Sequence, residues 1–311
     1  MERLNELEKL IGNTPAIEIT YKYNGNIRKV ISKCEWYNLT GSIKDRVALQ
    51  IIKDAYASGE LSPETPIVEV SSGNMGISLS AVGSFLGHKV TILMPKSMSI
   101  ERKKLLTMYG AKLIETDDFH QAFSLCEKMV TEGYYCPSQF KNSSNTLAHA
   151  TTTAQELLKV ITPEYTTFVA GIGTSGTLSG VGEILNQYHI ECIAVEPDQA
   201  RIITRPPPYS HHMLQGLSDE ILPSLYNNQI VSSIIPITDN DAIAMTQKLC
   251  KQLSLGVGIS SGANFLGCVL SGENAITIFP DDNKKYLSTT LSTPITTPIV
   301  DSIDFLSIKC L

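Results

Sequence analysis

Ile67-Val68-Glu69-Val70-Ser71-Ser72-Gly73-Asn74-Met75-Gly76 decides the architecture of this chain. Ile67 to Val70 reads as a buried strand, the next residues as a turn of small side chains, and Gly76 to Leu86 as a helix. The same rhythm continues outward. Lys89 to Met94 reads as a strand, Ser99 to Tyr109 as a helix, Ala111 to Glu115 as a strand and Asp118 to Thr131 as a helix. Later, Thr167 to Ala170 precedes a glycine-rich turn and a helix, and Glu191 to Val195 and Ala275 to Phe279 are further strands. Alternation of this kind predicts an α/β protein with parallel-rich sheets covered by helices on both faces. The units fall into two groups, split near residue 145 by the polar run Lys141-Asn142-Ser143-Ser144-Asn145. The tail from Ser288 is rich in Thr, Ser and Pro, then turns apolar. It is expected either to be disordered or to dock on the body or a partner subunit.

The 311 residues carry a net charge of -6, which argues against nucleic acid or anionic membrane as the main partner. No run is long and apolar enough to span a bilayer. Met1-Glu2-Arg3 leads into a charged segment and not a signal peptide, so the expected location is cytoplasmic. Seven cysteines without C-x-x-C spacing suit a reducing compartment and argue against zinc. The six histidines form no ligand pattern, so no catalytic metal is expected. The pair His211-His212 reads as surface.

Ligands of parallel α/β sheets bind where strands end and helices begin. Three such turns are rich in small residues. Ser71 to Gly76 has amides and hydroxyls suited to a carboxylate. Gly171-Ile172-Gly173-Thr174-Ser175-Gly176-Thr177 has the composition of a phosphate cradle, without the lysine of a P-loop. Its glycines also spell G-x-G-x-x-G, with Glu196 about 20 residues on, so spacing leaves a dinucleotide reading open. The third, Gly256 to Ala263, puts Ser260 at the head of a helix. A fourth stretch, Asn38-Leu39-Thr40-Gly41-Ser42-Ile43-Lys44-Asp45-Arg46, places Lys44 in a first helical turn. Positive potential from the helix start and Arg46 favours a neutral, nucleophilic amine there. Alone, the stretch suits a solvated lysine behind a serine cap better.

A reactive lysine, a phosphate cradle, a carboxylate turn and a lone serine together have the chemistry of pyridoxal phosphate. At this point the chain resembles the cysteine synthase and cystathionine β-synthase family, the β-replacement branch of fold-type II pyridoxal-phosphate enzymes. Within it, the chain is O-acetylserine sulfhydrylase-like. The likeness runs through Leu10-Ile11-Gly12-Asn13-Thr14-Pro15, Gly41 to Arg46, Ser72-Gly73-Asn74, Met98 to Lys103 and Tyr109-Gly110-Ala111. It continues through Gln139-Phe140, the glycine-rich turn, Val195-Glu196-Pro197, Gly258 to Gly262, Pro280-Asp281 and Tyr286 to Thr289.

The resemblance implies two three-layer αβα domains of the tryptophan synthase β-like kind. Residues 1–37 with 148–311 would form the large cofactor domain, and 38–147 a smaller mobile domain that closes over substrate. Lys44 would carry the cofactor's aldehyde and move the substrate α-proton. Asn74 would bond the ring hydroxyl oxygen, and Gly173, Thr174, Ser175, Gly176 and Thr177 the phosphate. Ser260 would bond the pyridine nitrogen, a neutral partner that favours elimination over transamination. Ser71, Ser72, Asn74, Met75 and Gln139 would face the substrate, as would Gly216 and Asp219.

The implied reaction is β-elimination through an aminoacrylate followed by addition, foremost cysteine synthesis from O-acetylserine and sulfide. The alternatives are a cysteine lyase or desulfhydrase that releases hydrogen sulfide while forming lanthionine or cystathionine, or a diaminopropionate-type synthase using phosphoserine. A regulatory protein that lost turnover is a further alternative, against which the intact Lys44, Asn74 and Ser260 weigh. Small amino acids are the expected partners, and a homodimer the expected assembly.

Three departures bear on specificity. Met75 stands where the family turn usually has threonine, and the loss of one hydrogen bond to a charged group would cost about 1.5–3 kcal/mol. Leu39 stands for the usual proline. The loop Gln215 to Pro223 carries Asp219-Glu220 in place of small residues, either solvated or placed to orient an incoming group.

Overall fold

The computed structural model describes residues 2–205, 207–218 and 222–311. Helix α1 (Glu2–Glu8) leads into a hairpin of β1 (Ala16–Tyr23) and β2 (Asn26–Cys34). Asn24 and Gly25 turn that hairpin, both at positive φ (48° and 80°), which is the Asn-Gly pattern that matches strand twist. Next come α2 (Lys44–Ser58), β3 (Ile67–Val70), α3 (Asn74–Leu86), β4 (Val90–Pro95), α4 (Ile100–Met108), β5 (Lys112–Thr116) and α5 (Phe119–Thr131). Helices α6 (Ser144–Ala148) and α7 (Ala154–Leu158) are joined by a π-helical stretch, His149–Thr153. Then follow β6 (Thr167–Gly171), α8 (Gly176–Asn186), β7 (Glu191–Pro197), β8 (Val231–Ile237), α9 (Asp239–Leu253), α10 (Ile259–Ser271), β9 (Ala275–Phe279), α11 (Pro298–Asp301) and β10 (Asp304–Cys310).

Two sheets form. One has seven strands in the order β10-β1-β2-β9-β6-β7-β8, and the other three in the order β3-β4-β5. The small sheet is wholly parallel, and from β2 to β8 the large sheet is parallel too. Alternation along each strand sends side chains to two cores. In the large sheet Phe168, Ala170 and Ile276 pack on one side with Leu178 and Val181 of α8. Val169, Val195 and Phe279 pack on the other with Phe265 of α10 and Met245 of α9. In the small sheet Ile67 and Ile92 meet α2 and α3, while Val68, Val70 and Leu93 meet Ala122 and Cys126 of α5. Both sheets are therefore the middle of three layers.

The C-terminal tail is ordered. Val300 and Ile303 are buried, and β10 pairs antiparallel with β1 from Ile17↔Cys310 to Lys22↔Asp304. The outcome of the two expectations for this segment is docking on the chain's own body.

Candidate active site

Four segments meet at the carboxyl ends of β3 and β6. They are the head of α2, the turn into α3, the turn into α8 and the head of α10, and together they line one cleft. The α2 head is held tightly. Asp45 is fully buried and accepts from Thr40 N (2.7 Å), Thr40 Oγ1 (2.6 Å) and Ser78 Oγ (2.6 Å). Lys285 Nζ donates to Gly41 O at 2.8 Å, and Ile43 N to Pro280 O at 2.8 Å. Arg46 is also buried, but its charge is matched by two carboxylates. Its Nε donates to Glu35 Oε2 at 2.8 Å and its Nη1 to Glu156 Oε1 at 2.6 Å. The positive field expected from Arg46 at Lys44 is thus largely compensated. Lys44 Nζ donates to Thr174 Oγ1 at 3.1 Å, so the amine points into the cleft at the glycine-rich turn.

That turn is shaped for close approach. A methyl on Gly176 would lie 1.9 Å from Asn145 Oδ1, and one on Gly173 2.3 Å from Gly216 O. Thr174 Oγ1 also accepts from Asn145 Nδ2 at 2.9 Å, and Thr177 Oγ1 lies 3.3 Å from His149 Nε2. Burial, with Lys44 and Arg46 nearby, holds the His149 imidazole well below its usual range, so it sits neutral under the turn. Ser175, at φ 63°, opens α8, and its buried hydroxyl has no hydrogen-bond partner among the described residues. An orphaned donor at the start of an eleven-residue helix suits a bound anion.

At the other wall α3 begins at Asn74, two residues before the expected start, so Asn74 and Met75 belong to its first turn. Asn74 Nδ2 donates to Asp281 Oδ2 at 2.8 Å, while its buried Oδ1 has no partner among the described residues. Ser71 Oγ accepts from Gly73 N (3.1 Å) and Gly76 N (2.9 Å), so this hydroxyl braces the turn. Ser72 lines the cleft, and its carbonyl accepts from Arg102 Nη1 at 3.2 Å. Gln139 is buried at the cleft, donating through Nε2 to Val70 O at 3.2 Å. Met75 lines the cleft yet is only 2% exposed, packed among Val47, Ala48 and Ile77. Ser260, 6% exposed, lines the cleft from the first turn of α10. Gly216 lines it opposite Gly173, whereas Asp219 and Glu220 lie outside the described residues.

Several participants carry weak sequence signals. Asn145, in the polar run at the expected split, is fully buried and bonds both Gln139 O and Thr174 Oγ1. Arg102 is 1% exposed, stacks 4.7 Å from the Tyr286 ring and also bonds Gln215 Oε1. Asp281 is fully buried between Asn74 and Tyr286, whose hydroxyl donates to it at 2.8 Å. Glu196, the acid that kept a dinucleotide in view, is buried and accepts from Ile203 N at 3.1 Å and from Thr204 Oγ1. It is committed to its own loop. His212 is half-buried, with Nε2 3.0 Å from Ser218 O, so one of the pair read as surface instead braces the loop over the cleft.

A sequence model of pyridoxal-phosphate-dependent enzymes matches residues 7–281. The cysteine synthase of Staphylococcus aureus strain N315 is 36% identical over 301 residues, spanning 93% of this chain and 97% of the relative. Cysteine synthase B of Campylobacter jejuni is 39% identical over 298 residues, spanning 92% and 98%. The chain belongs to the pyridoxal-phosphate-dependent enzymes of the cysteine synthase kind. The crystal structure of a hydrogen sulfide-producing enzyme from Fusobacterium nucleatum superposes with TM-score 0.94 and 38% identity, over 100% of this chain and 99% of that one. The fold is fold type II, the cofactor pyridoxal phosphate and the reaction class β-replacement on small amino acids. The cleft fits that cofactor. The orphaned Ser175 hydroxyl and glycine cradle suit its phosphate, the orphaned Asn74 oxygen a ring substituent, and the Lys44 amine an aldehyde.

Proposed function

We propose that this enzyme takes L-cysteine as its first substrate, expels sulfide and adds a second small nucleophile, a thiol such as another cysteine, to the remaining three-carbon unit. The observation that carries this reading is the end-to-end superposition on the sulfide-producing enzyme, strand β10 included. The cysteine synthase of Entamoeba histolytica matches 95% of this chain at TM-score 0.86. Met75 supports it from the sequence, giving the site an apolar, buried side chain where sulfhydrylases have a hydroxyl.

Bound in the cleft, pyridoxal phosphate supplies the electron-withdrawing ring that makes the substrate α-proton acidic. Lys44 holds and moves that proton, and its 3.1 Å bond to Thr174 fixes the amine between phosphate turn and substrate turn. Ser72, Asn74 and Gln139 bind the α-carboxylate. Thr174, Ser175, Gly176 and Thr177 with Gly173 hold the phosphate, and Ser260 faces the pyridine nitrogen. We further infer that residues 38–147 move as a unit toward residues 1–37 with 148–311, excluding water during turnover. The exposed Leu306 and Ile308 on the edge strand, with Leu311 just after it, suit a homodimer contact. No helix among the described residues is long and apolar enough to cross a membrane, which suits a cytoplasmic enzyme.

Turnover of each amino acid tests the reading. Cysteine alone should release sulfide with a higher kcat/KM than O-acetylserine shows with sulfide. The reverse preference would establish cysteine synthesis, the reading that the two curated relatives favour by name. Lys44→Ala should lose the cofactor's absorption band and roughly 10³-fold or more of either activity. A wild-type protein that takes up no cofactor overturns both readings.

A further inference from the structure

A second cleft lies at the edge of the small sheet, and its wall holds Cys126 of α5 and Cys136 of the following segment. Their sulfurs are 3.5 Å apart. Cys34, Cys192 and Cys268 are buried elsewhere, and Cys250 and Cys310 are exposed. Hydrogen bonding from Cys136 holds the Cys126 thiol below its ordinary range, and the same contact with burial pushes Cys136 up. With the sulfurs 3.5 Å apart, either can serve as the attacking thiolate while the other donates to it, and Cys126 is taken as the first to react. Glu69 lines the same cleft, and burial raises its carboxyl well above the usual range, so it stays neutral beside the pair.

The segment after Cys136 leads to the active site. Tyr135 is bonded to the free edge of β3 through Tyr135 N to Pro66 O and Val68 N to Tyr135 O, each 2.9 Å. Three residues beyond Cys136, Gln139 N donates to Glu69 Oε2 at 3.2 Å. Asn145 Nδ2 ties Gln139 O (2.8 Å) to Thr174 Oγ1, the partner of Lys44. A shift at Cys136 is thus felt by the glutamine at the substrate turn.

We propose that Cys126 and Cys136 form a reversible redox pair, closed to a disulfide by hydroperoxides, and that closure displaces the Gln139 segment and weakens substrate binding. The Cys126 thiolate attacks the peroxide, breaking the O–O bond and leaving Cys126 as a sulfenic acid, with hydroxide taking up a proton to become water. The Cys136 thiol then attacks the sulfenic sulfur. The S–S bond forms, the S–O bond breaks and a second water leaves. In sum, two thiols and one hydrogen peroxide give one disulfide and two waters, with two electrons passing from sulfur to oxygen. A disulfide needs its sulfurs at about 2.05 Å, so closure draws the two sulfurs together by roughly 1.5 Å and pulls on the 133–139 segment that carries Cys136.

The experiment uses the full-length holoenzyme. It is treated with a few equivalents of hydrogen peroxide, alkylated and digested without reductant. KM is measured in parallel with whichever of cysteine and O-acetylserine the enzyme turns over. A peptide linking Cys126 to Cys136, about 2 Da lighter than the two thiol peptides together, is expected. KM should rise roughly threefold or more with kcat largely kept, and dithiothreitol should reverse both changes. Cys126→Ser and Cys136→Ser should each lose the linked peptide and the KM response, with untreated KM near wild type. Absence of the linked peptide overturns the proposal, as does a KM response that survives in both variants. A linked peptide with unchanged KM overturns the coupling to Gln139. The peptide is read by mass whatever the substrate, so this proposal and the substrate reading fail separately.

Discussion

Gly173 has room for no side chain, because a methyl there would sit 2.3 Å from the carbonyl oxygen of Gly216. That oxygen is backbone, so relief requires moving the 213–218 loop. Gly173→Ala should weaken cofactor binding by roughly tenfold or more, seen as loss of the cofactor band on dilution, with a smaller change in thermal stability. Met75 makes a contrasting case. Read as a specificity element in place of threonine, it is also a core residue of the small sheet. Met75→Thr removes buried methylene and sulfur and adds a hydroxyl, so a loss of about 1–3 kcal/mol is expected in urea unfolding, whatever happens to substrate preference. Glu69 predicts a pH effect of defined sign. Its folded pKa lies above the ordinary 4.5, so its cost to the fold grows as pH rises from 4.5 toward that raised value. Glu69→Gln should therefore gain more thermal stability over wild type in alkaline buffer than near pH 4.5. A pH-independent difference would contradict the raised value.

At the scale of elements, α2 carries the amine, and a buried ion cluster fixes it. Glu156 bonds Arg46 of α2 and Lys33 of β2, at 2.6 and 2.7 Å. Against the cost of burial, Arg46 and Lys33 hold the Glu156 carboxyl down to about 2. Its stabilising effect is full above the ordinary 4.5 and is lost as pH falls from 4.5 to about 2. Glu156→Gln should lower the urea midpoint at neutral pH and flatten its fall across that acid window. The elements themselves were unequally legible. Strands β3, β4, β6 and β9 are short apolar runs between turn signals, so periodicity finds them. Strand β8, Val231-Ser232-Ser233-Ile234-Ile235-Pro236-Ile237, is an edge strand with polar residues and a proline, which blunt the signal. Strand β10 has almost no buried face, so nothing in its pattern separates it from a tail. Within the site, Lys44, Asn74 and the 171–177 turn lie next to glycine and helix-start signals. Asn145, Arg102 and Asp281 act through contacts far apart in sequence, which no local pattern carries.

At the scale of the whole molecule, the two sheets share one cleft, and the polar residues that span it come from both. Asn74 reaches Asp281, Arg102 reaches Gln215, and Lys44 reaches Thr174. Burial alone would have described each sheet as its own body. The large sheet, however, is not assembled in chain order. Its edge strand β10 covers β1, and Leu311 N donates to Ala16 O at 2.9 Å. Removing residues 304–311 should lower Tm by several degrees and promote association through the uncovered β1 edge, read by light scattering. During synthesis, β1 emerges long before β10, so its outer edge stays open until residues 304–310 exist to pair with it. The time that distant strand takes to fold back is the time for which an association-prone edge is bare.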